Sequence, residues 1–168
     1  MALRSLALTV MLAGAVATPV SAKESLGVFG QWGVFRDAQV PRCYSIATAE
    51  PARSNADRAE RSGFASIGTW PSRQVRGQVH FRLSRTLAQR PGLRLVVAGR
   101  RFNLTGGGSE AWAQDAGMDA AILAAMRAAG SMQISATDTR GRRFTDRYSL
   151  DGAATAMDAA TIGCSSRR

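Results

Sequence analysis

The chain has little of what enzymes and metal sites are usually built from: one histidine, one lysine and two cysteines in 168 residues. A general base needs an orienting partner, and a Ser-His-acid triad needs two. No such partners accompany His80 in sequence, so it reads as a surface residue on the polar side of a strand. Neither Cys43 nor Cys164 has a third ligand nearby, which leaves a closed zinc site with little support. Gly106-Gly107-Gly108 lacks the wider glycine spacing and the Lys-Ser or Lys-Thr of a phosphate-cradling loop, and it runs into Ser109-Glu110. It reads as a flexible turn that ends a run of strands. Long apolar stretches are missing as well. The best internal one, 116–129, is interrupted by Asp119 and Arg127 and falls short of the roughly 20 residues a membrane-spanning helix needs.

What is present begins with a leader. Met1-Ala2-Leu3-Arg4 carries one positive charge, Leu6 to Ala17 is an uncharged apolar run of signal-peptide length, Thr18-Pro19 breaks it, and Val20-Ser21-Ala22 places small residues at a cleavage site. The expectation is a signal peptide over residues 1–22, cut after Ala22, with 23–168 as a single secreted domain in a periplasm. No cysteine lies near the cut, which argues against a lipoprotein.

Basic residues outnumber acidic ones by 22 to 12, for a formal net charge of +10, and all but Lys23 of the basic residues are arginine. Such a surface draws anionic partners, in an envelope lipid phosphates, lipopolysaccharide and acidic polymers. Arg73, Arg76, Arg82 and Arg85 are the candidate anion-binding residues. The competing reading is solubilising charge with a compositional bias toward arginine. Two cysteines in an oxidising compartment read as a disulfide, Cys43 to Cys164, closing a loop of about 120 residues. Reactive or metal-binding thiols are the alternative.

Short strands dominate. Trp32 to Phe35, Cys43 to Ala47 and Phe64 to Trp70 read as the first three, with a solvated loop from Glu50 to Ser62. Over Val75 to Ser84 the residues alternate, Val75, Gly77, Val79, Phe81 and Leu83 inward and Arg76, Gln78, His80, Arg82 and Ser84 toward water. Leu93 to Val97 and Arg101 to Leu104 form a hairpin about Ala98-Gly99-Arg100. Asp115 to Gly130 predicts a helix capped by Asp115, with Met118, Ile122, Ala125, Met126 and Ala129 on its buried side. A second hairpin runs out through Met132 to Ala136, turns over Asp138 to Gly141, and returns through Phe144, Tyr148 and Leu150. Ala153 to Ile162 predicts a short helix that delivers Cys164. The fold class is mainly β, an antiparallel sandwich or open barrel, with two helices in the C-terminal half.

The ending, Ala129-Gly130, the strand Met132 to Ala136, the Gly141 turn, then Tyr148-Ser149-Leu150-Asp151-Gly152-Ala153-Ala154-Thr155-Ala156-Met157, resembles that of the invasion-associated locus B family of secreted alphaproteobacterial proteins. The start, Gly30-Gln31-Trp32-Gly33-Val34-Phe35 followed by Cys43-Tyr44, is similar to that family's Trp-led first strand and cysteine strand. Many members carry a cysteine shortly after the first tryptophan, where this chain has Phe35, so Cys164 would take its place in a different crosslink. The resemblance implies a secreted β-rich domain, linked in its best-known members to host-cell invasion, and it transfers no catalytic residue.

Two function classes follow. The first is a non-enzymatic periplasmic or secreted accessory or binding protein. Its partner would be an anionic envelope component or host surface, with peripheral membrane contact, no nucleic acid and no cofactor. The second is a secreted hydrolase with an acid-based site, for which Asp138 and Asp146 across the second hairpin are the available pair.

Overall fold

A computed structural model describes residues 23–51 and 61–165. The leader expected over 1–22, with its cut after Ala22, and most of the loop read over 50–62 lie outside the described residues. Two antiparallel sheets face each other as a sandwich, and neither closes into a barrel. The larger has the order β1-β2-β3-β4-β5-β9-β8, from β1 (Glu24–Phe29), β2 (Trp32–Asp37), β3 (Arg42–Thr48), β4 (Phe64–Trp70), β5 (Val75–Arg82), β9 (Glu110–Trp112) and β8 (Thr105–Gly107). The smaller is β11-β10-β6-β7, from β11 (Arg143–Ser149), β10 (Ser131–Thr137), β6 (Arg94–Val97) and β7 (Arg100–Asn103).

Period-two alternation sets the core. Trp32 and Val34, Cys43 and Ala47, Ala65 and Ile67, and Val79 and Phe81 turn inward from the larger sheet. Leu95, Val97, Met132, Ile134 and Tyr148 turn inward from the smaller one, and all belong to one contiguous cluster of buried side chains. Phe81 meets Tyr148 across the gap with ring centroids 5.9 Å apart, and the Trp32 indole donates to the Ser149 carbonyl at 3.0 Å. The two-residue turn of the β6–β7 hairpin puts both Ala98 and Gly99 at positive φ, 49° and 72°, which matches the twist of the flanking strands.

Two helices close the inner side. Helix α1 (Ala116–Arg127) starts where Asp115 accepts from the Met118 amide at 2.7 Å, a cap worth about 1 kcal/mol. It stops at Arg127, three residues short of the expected Gly130. Asp119 in its first turn accepts from the Val79 amide at 2.8 Å, so the helix satisfies a β5 group lying beyond the paired stretch of the shorter β9. Helix α2 (Ala153–Ser165) buries Ala153, Ala156, Met157 and Ala160 against β1 to β4, small side chains that let helix and sheet approach closely. At its far end Cys164 bonds to Cys43, with Cα atoms 5.6 Å apart, and the Arg36 guanidinium donates to the Gly163 carbonyl at 2.8 Å.

Three short strands escaped the sequence reading. β1 is broken by Gly27, where the register shifts, so its alternation is irregular. β8 and β9 form a hairpin about Gly108-Ser109. The triple glycine therefore extends the larger sheet instead of ending it, because β8 needs only backbone to pair along β9.

Candidate functional site

The outer face of the larger sheet is where the side chains of chemical interest gather. Helices α1 and α2 and the smaller sheet all pack against its inner side, and among the described residues no helix or strand lies over the outer one. The face nevertheless carries many rings. Near the start of β3, Phe35 and Tyr44 stand opposite each other and stack with centroids 5.7 Å apart. The Arg42 guanidinium lies 4.6 Å from the Tyr44 ring centre and 5.9 Å from that of Trp70, within cation–π reach of both. Two glycines let the rings lie down on the backbone. A β-carbon at Gly33 would stand 2.9 Å from the Phe35 ring, and one at Gly68 would collide with Trp70.

Two strands along, His80 pairs with Ser66 of β4 on one side and Trp112 of β9 on the other. Its ring stacks on Trp112 at 5.3 Å and meets the edge of Phe64 at 5.8 Å. One ring nitrogen, Nε2, is 2.6 Å from Glu110 Oε2, and the other, Nδ1, is 3.3 Å from Ser66 Oγ. Arg82 Nε is 3.8 Å from the second Glu110 oxygen. The histidine read from sequence as exposed and without partners is thus half-buried and held on four sides. Glu110 was invisible as its partner because it lies 30 residues away on a strand of three residues.

Hydroxyl, imidazole and carboxylate in line make the order of an acyl-transfer triad, so the surroundings decide what this one can do. Ser66 lies inside β4, paired to Ile46 on one flank and His80 on the other. In an antiparallel ladder an inner residue commits its amide to one neighbour or the other. The amides of the two strands are therefore spent on the sheet, and an oxyanion would find no pair of N–H donors there. The array fixes the orientation of His80 without supplying the rest of a hydrolytic site.

The four arginines expected to bind anions do not stay together. Arg82 is exposed on this face, Arg76 is exposed near the start of β5, and Arg73 is exposed on the 3-10 turn Pro71–Arg73 that joins β4 to β5. Arg85 has to be corrected. It is 3 % exposed, and its Nη1 is 3.1 Å from Asp138 Oδ2. Pairing of β5 ends at Arg82, and Leu83, Ser84 and Arg85 are buried one after another, so the alternation that would have kept Ser84 wet no longer applies and Arg85, grouped with the outer arginines by its charge, lies in the core. Arg42 is the cation of the face that sequence reasoning missed. The aromatic neighbours that hold it come from two strands, and only the fold brings them together.

Asp138 and Asp146, the acid pair available to a hydrolase, are both buried. Asp138 accepts from the Arg140 and Arg142 amides, both at 2.9 Å, and from the guanidinium of Arg85. Burial pushes its carboxyl up, but the Arg142 amide, Arg85 and the Arg140 amide outweigh that and hold it below the ordinary carboxylate range. Asp146 accepts from the Ser84 amide at 2.8 Å and the Ser84 hydroxyl at 2.5 Å, and burial leaves it above that range. A cleft of about 540 Å3 opens beside Asp146, lined in part by Arg61, Ser84 and Phe144. Each acid is engaged in holding a loop to the second hairpin, and the pairing register sets Asp146 opposite Ile134, away from the turn that Asp138 occupies.

Two facing antiparallel sheets, a small-residue terminal helix bridged to β3, and a ring-bearing outer face define a disulfide-closed β-sandwich domain. The family model for invasion associated locus B (IalB) protein matches residues 42–161. The chain belongs to that family. Its match begins at β3 and takes in the C-terminal motif, leaving the Trp-led strand outside. Among solved structures, invasion associated protein B from Bartonella henselae is similar in fold at a TM-score of 0.57, with 18% sequence identity over 84% of this chain and 97% of that one. No curated protein sequence matches the chain.

Proposed function

We propose that the protein is a non-catalytic binding domain that works outside the cytoplasm and contacts an anionic partner through the outer face of its larger sheet. The observation that carries the reading is a layer of half-buried rings with Arg42 and Arg82 among them, on a face that no described element covers. Sandwich proteins commonly leave an outer face polar, whereas exposed apolar surface set among charge marks an interaction site. The formal net charge of +10 favours an anionic envelope component or host surface as the partner. The strand amides committed to the ladder around Ser66, and the acids committed to loops at Asp138 and Asp146, support a binding role over hydrolysis. Export by the segment 1–22 supports the location, and mass spectrometry of protein recovered from the periplasm should find Lys23 at the N-terminus.

The test is association of the purified protein with anionic envelope material across a salt series. Binding should weaken steeply as the Debye length shrinks from about 30 Å at 0.01 M to about 8 Å at 0.15 M. It should weaken again in the Arg76→Ala, Arg82→Ala double variant. Salt-independent binding, or none at low ionic strength, would reduce the arginines to solubilising charge.

A further inference from the structure

We propose that the ligand of this face is an acidic polysaccharide, laid across β3, β4, β5 and β9 so that its sugar rings stack on the aromatic layer and its acidic groups meet Arg42 and Arg82. This rests on the reading of the outer face as a binding surface and adds the chemistry of what is bound.

The argument begins with how the rings lie. Phe35 leans back over Gly33 and Trp70 over Gly68, so these two rings are held close to the sheet. A lipid surface is better met by apolar side chains that project from loops and enter it. Rings held close to the sheet instead suit a partly apolar partner that lies along it, and the C–H face of a sugar ring is one. The polar groups between the rings fit the same partner. Ser66, Gln78 and the His80–Glu110 pair offer donors and acceptors for hydroxyls, and none belongs to the buried core. The extent agrees as well. Tyr44 on β3 and His80 on β5 are two strands apart, about 10 Å across the sheet, wider than a single sugar and suited to a chain.

Charge selects an acidic chain over a neutral one, and its density argues against single-stranded nucleic acid, the other polymer that stacks on rings beside arginine. A nucleic-acid channel lines up cations along a backbone with one phosphate per unit. Here each cation already has an acid beside it. Arg42 Nη2 is 3.8 Å from Asp37 Oδ2, and Arg82 Nε is 3.8 Å from Glu110. Such half-neutralised arginines match a polymer whose charges are spaced out and whose remaining groups are hydroxyls.

The test measures binding of the purified disulfide-bonded protein to polygalacturonate, to uncharged dextran, to phosphatidylglycerol vesicles and to oligothymidylate, each at low and physiological salt. Trp112→Leu and Tyr44→Leu keep apolar bulk and remove the π face, and their thermal melts confirm folding. Arg42→Gln with Arg82→Gln removes the cations. Polygalacturonate is expected to bind more tightly than the other three, to weaken with salt, and to weaken about tenfold in each ring variant. If the ring variants bind it as well as the parent while the arginine variant does not, the anionic face stands and the polysaccharide reading is overturned. Preference for vesicles or for oligothymidylate overturns it likewise. Failure to bind any of the three anions at low salt overturns both readings.

Discussion

Breaking the Cys43–Cys164 bridge should lower the melting temperature by about 15 °C, almost wholly through the unfolded chain. The cysteines are 121 residues apart. Opening a loop of that size frees about 5 kcal/mol of chain entropy on the loop-closure model. At about 3 °C per kcal/mol for a domain of this length, the shift follows. The native state should barely change, because α2 stays docked through Ala153, Ala156, Met157 and Ala160, and its last turn is also held by Arg36 at the Gly163 carbonyl. Cys164→Ala and Cys43→Ala should therefore cost similar amounts, and the double variant little more than either. Cys43→Ser should be worse than Cys43→Ala, since the site is fully buried and an unpaired hydroxyl there adds about 1–3 kcal/mol. Calorimetry with and without reductant is the assay, and reductant should reproduce the shift in the parent and leave the variants alone. Two free thiols in non-reducing peptide maps, or a parent melt indifferent to reductant, would refute the bridge. Fast amide exchange confined to α2 of the variants would refute the unfolded-state explanation instead.

Other expectations concern the inner polar contacts. Asp119→Ala leaves the Val79 amide without its acceptor and should cost about 1–3 kcal/mol, against about 1 kcal/mol for Asp115→Ala at the cap; denaturant melts compare them directly. Arg85→Ala should destabilise the protein far more than Arg82→Ala, because it leaves the Asp138 carboxylate in the core without that guanidinium, and equal melts would contradict the buried assignment. Carboxyl NMR should find Asp138 titrating below the usual carboxylate range and Asp146 above it. The stability from Asp138 is then complete above its unfolded value near 3.8 and disappears as pH falls through its depressed folded value. Asp146 acts in the opposite sense, with stability gained as pH falls through its raised folded value.

Strands with steady alternation were legible before the fold was known. β3, β4, β10 and β11 came out within a residue or two, and Asp115 was found as a cap, because each depends on neighbours two to four residues apart. The β8–β9 hairpin was not legible, since three glycine-rich residues carry no pattern and the pairing is made by backbone. The terminal helix and the bridge could be inferred from small residues and a cysteine count. The site could not. Phe35, Tyr44 and Trp70 come from three strands, and His80 finds Glu110 only because β9 pairs with β5. Arg85 shows the same limit from the other direction, since its charge placed it with the outer arginines and Asp138, 53 residues away, holds it in the core.

The outer rings have to be weighed first as sheet stabilisers. Cross-strand pairs such as Phe35 with Tyr44 contribute about 0.2–1 kcal/mol each, and a ring folded over a strand glycine recovers contacts that the glycine forgoes. Gly33 and Gly68 with Phe35 and Trp70 fit that description. Stability alone, however, is served as well by threonine or valine in place of glycine, with no ring needed to cover the gap. A glycine with a ring folded over it differs from a β-branched residue in what it shows to water, an aromatic ring held close to the sheet. That arrangement occurs on β2 and β4, the strands on either side of β3, and Arg42 lies over the Tyr44 and Trp70 rings. The stabilising contribution explains why the rings can remain on an uncovered face. Their closeness to the sheet, and the guanidinium set among them, match a partner that lies on the sheet.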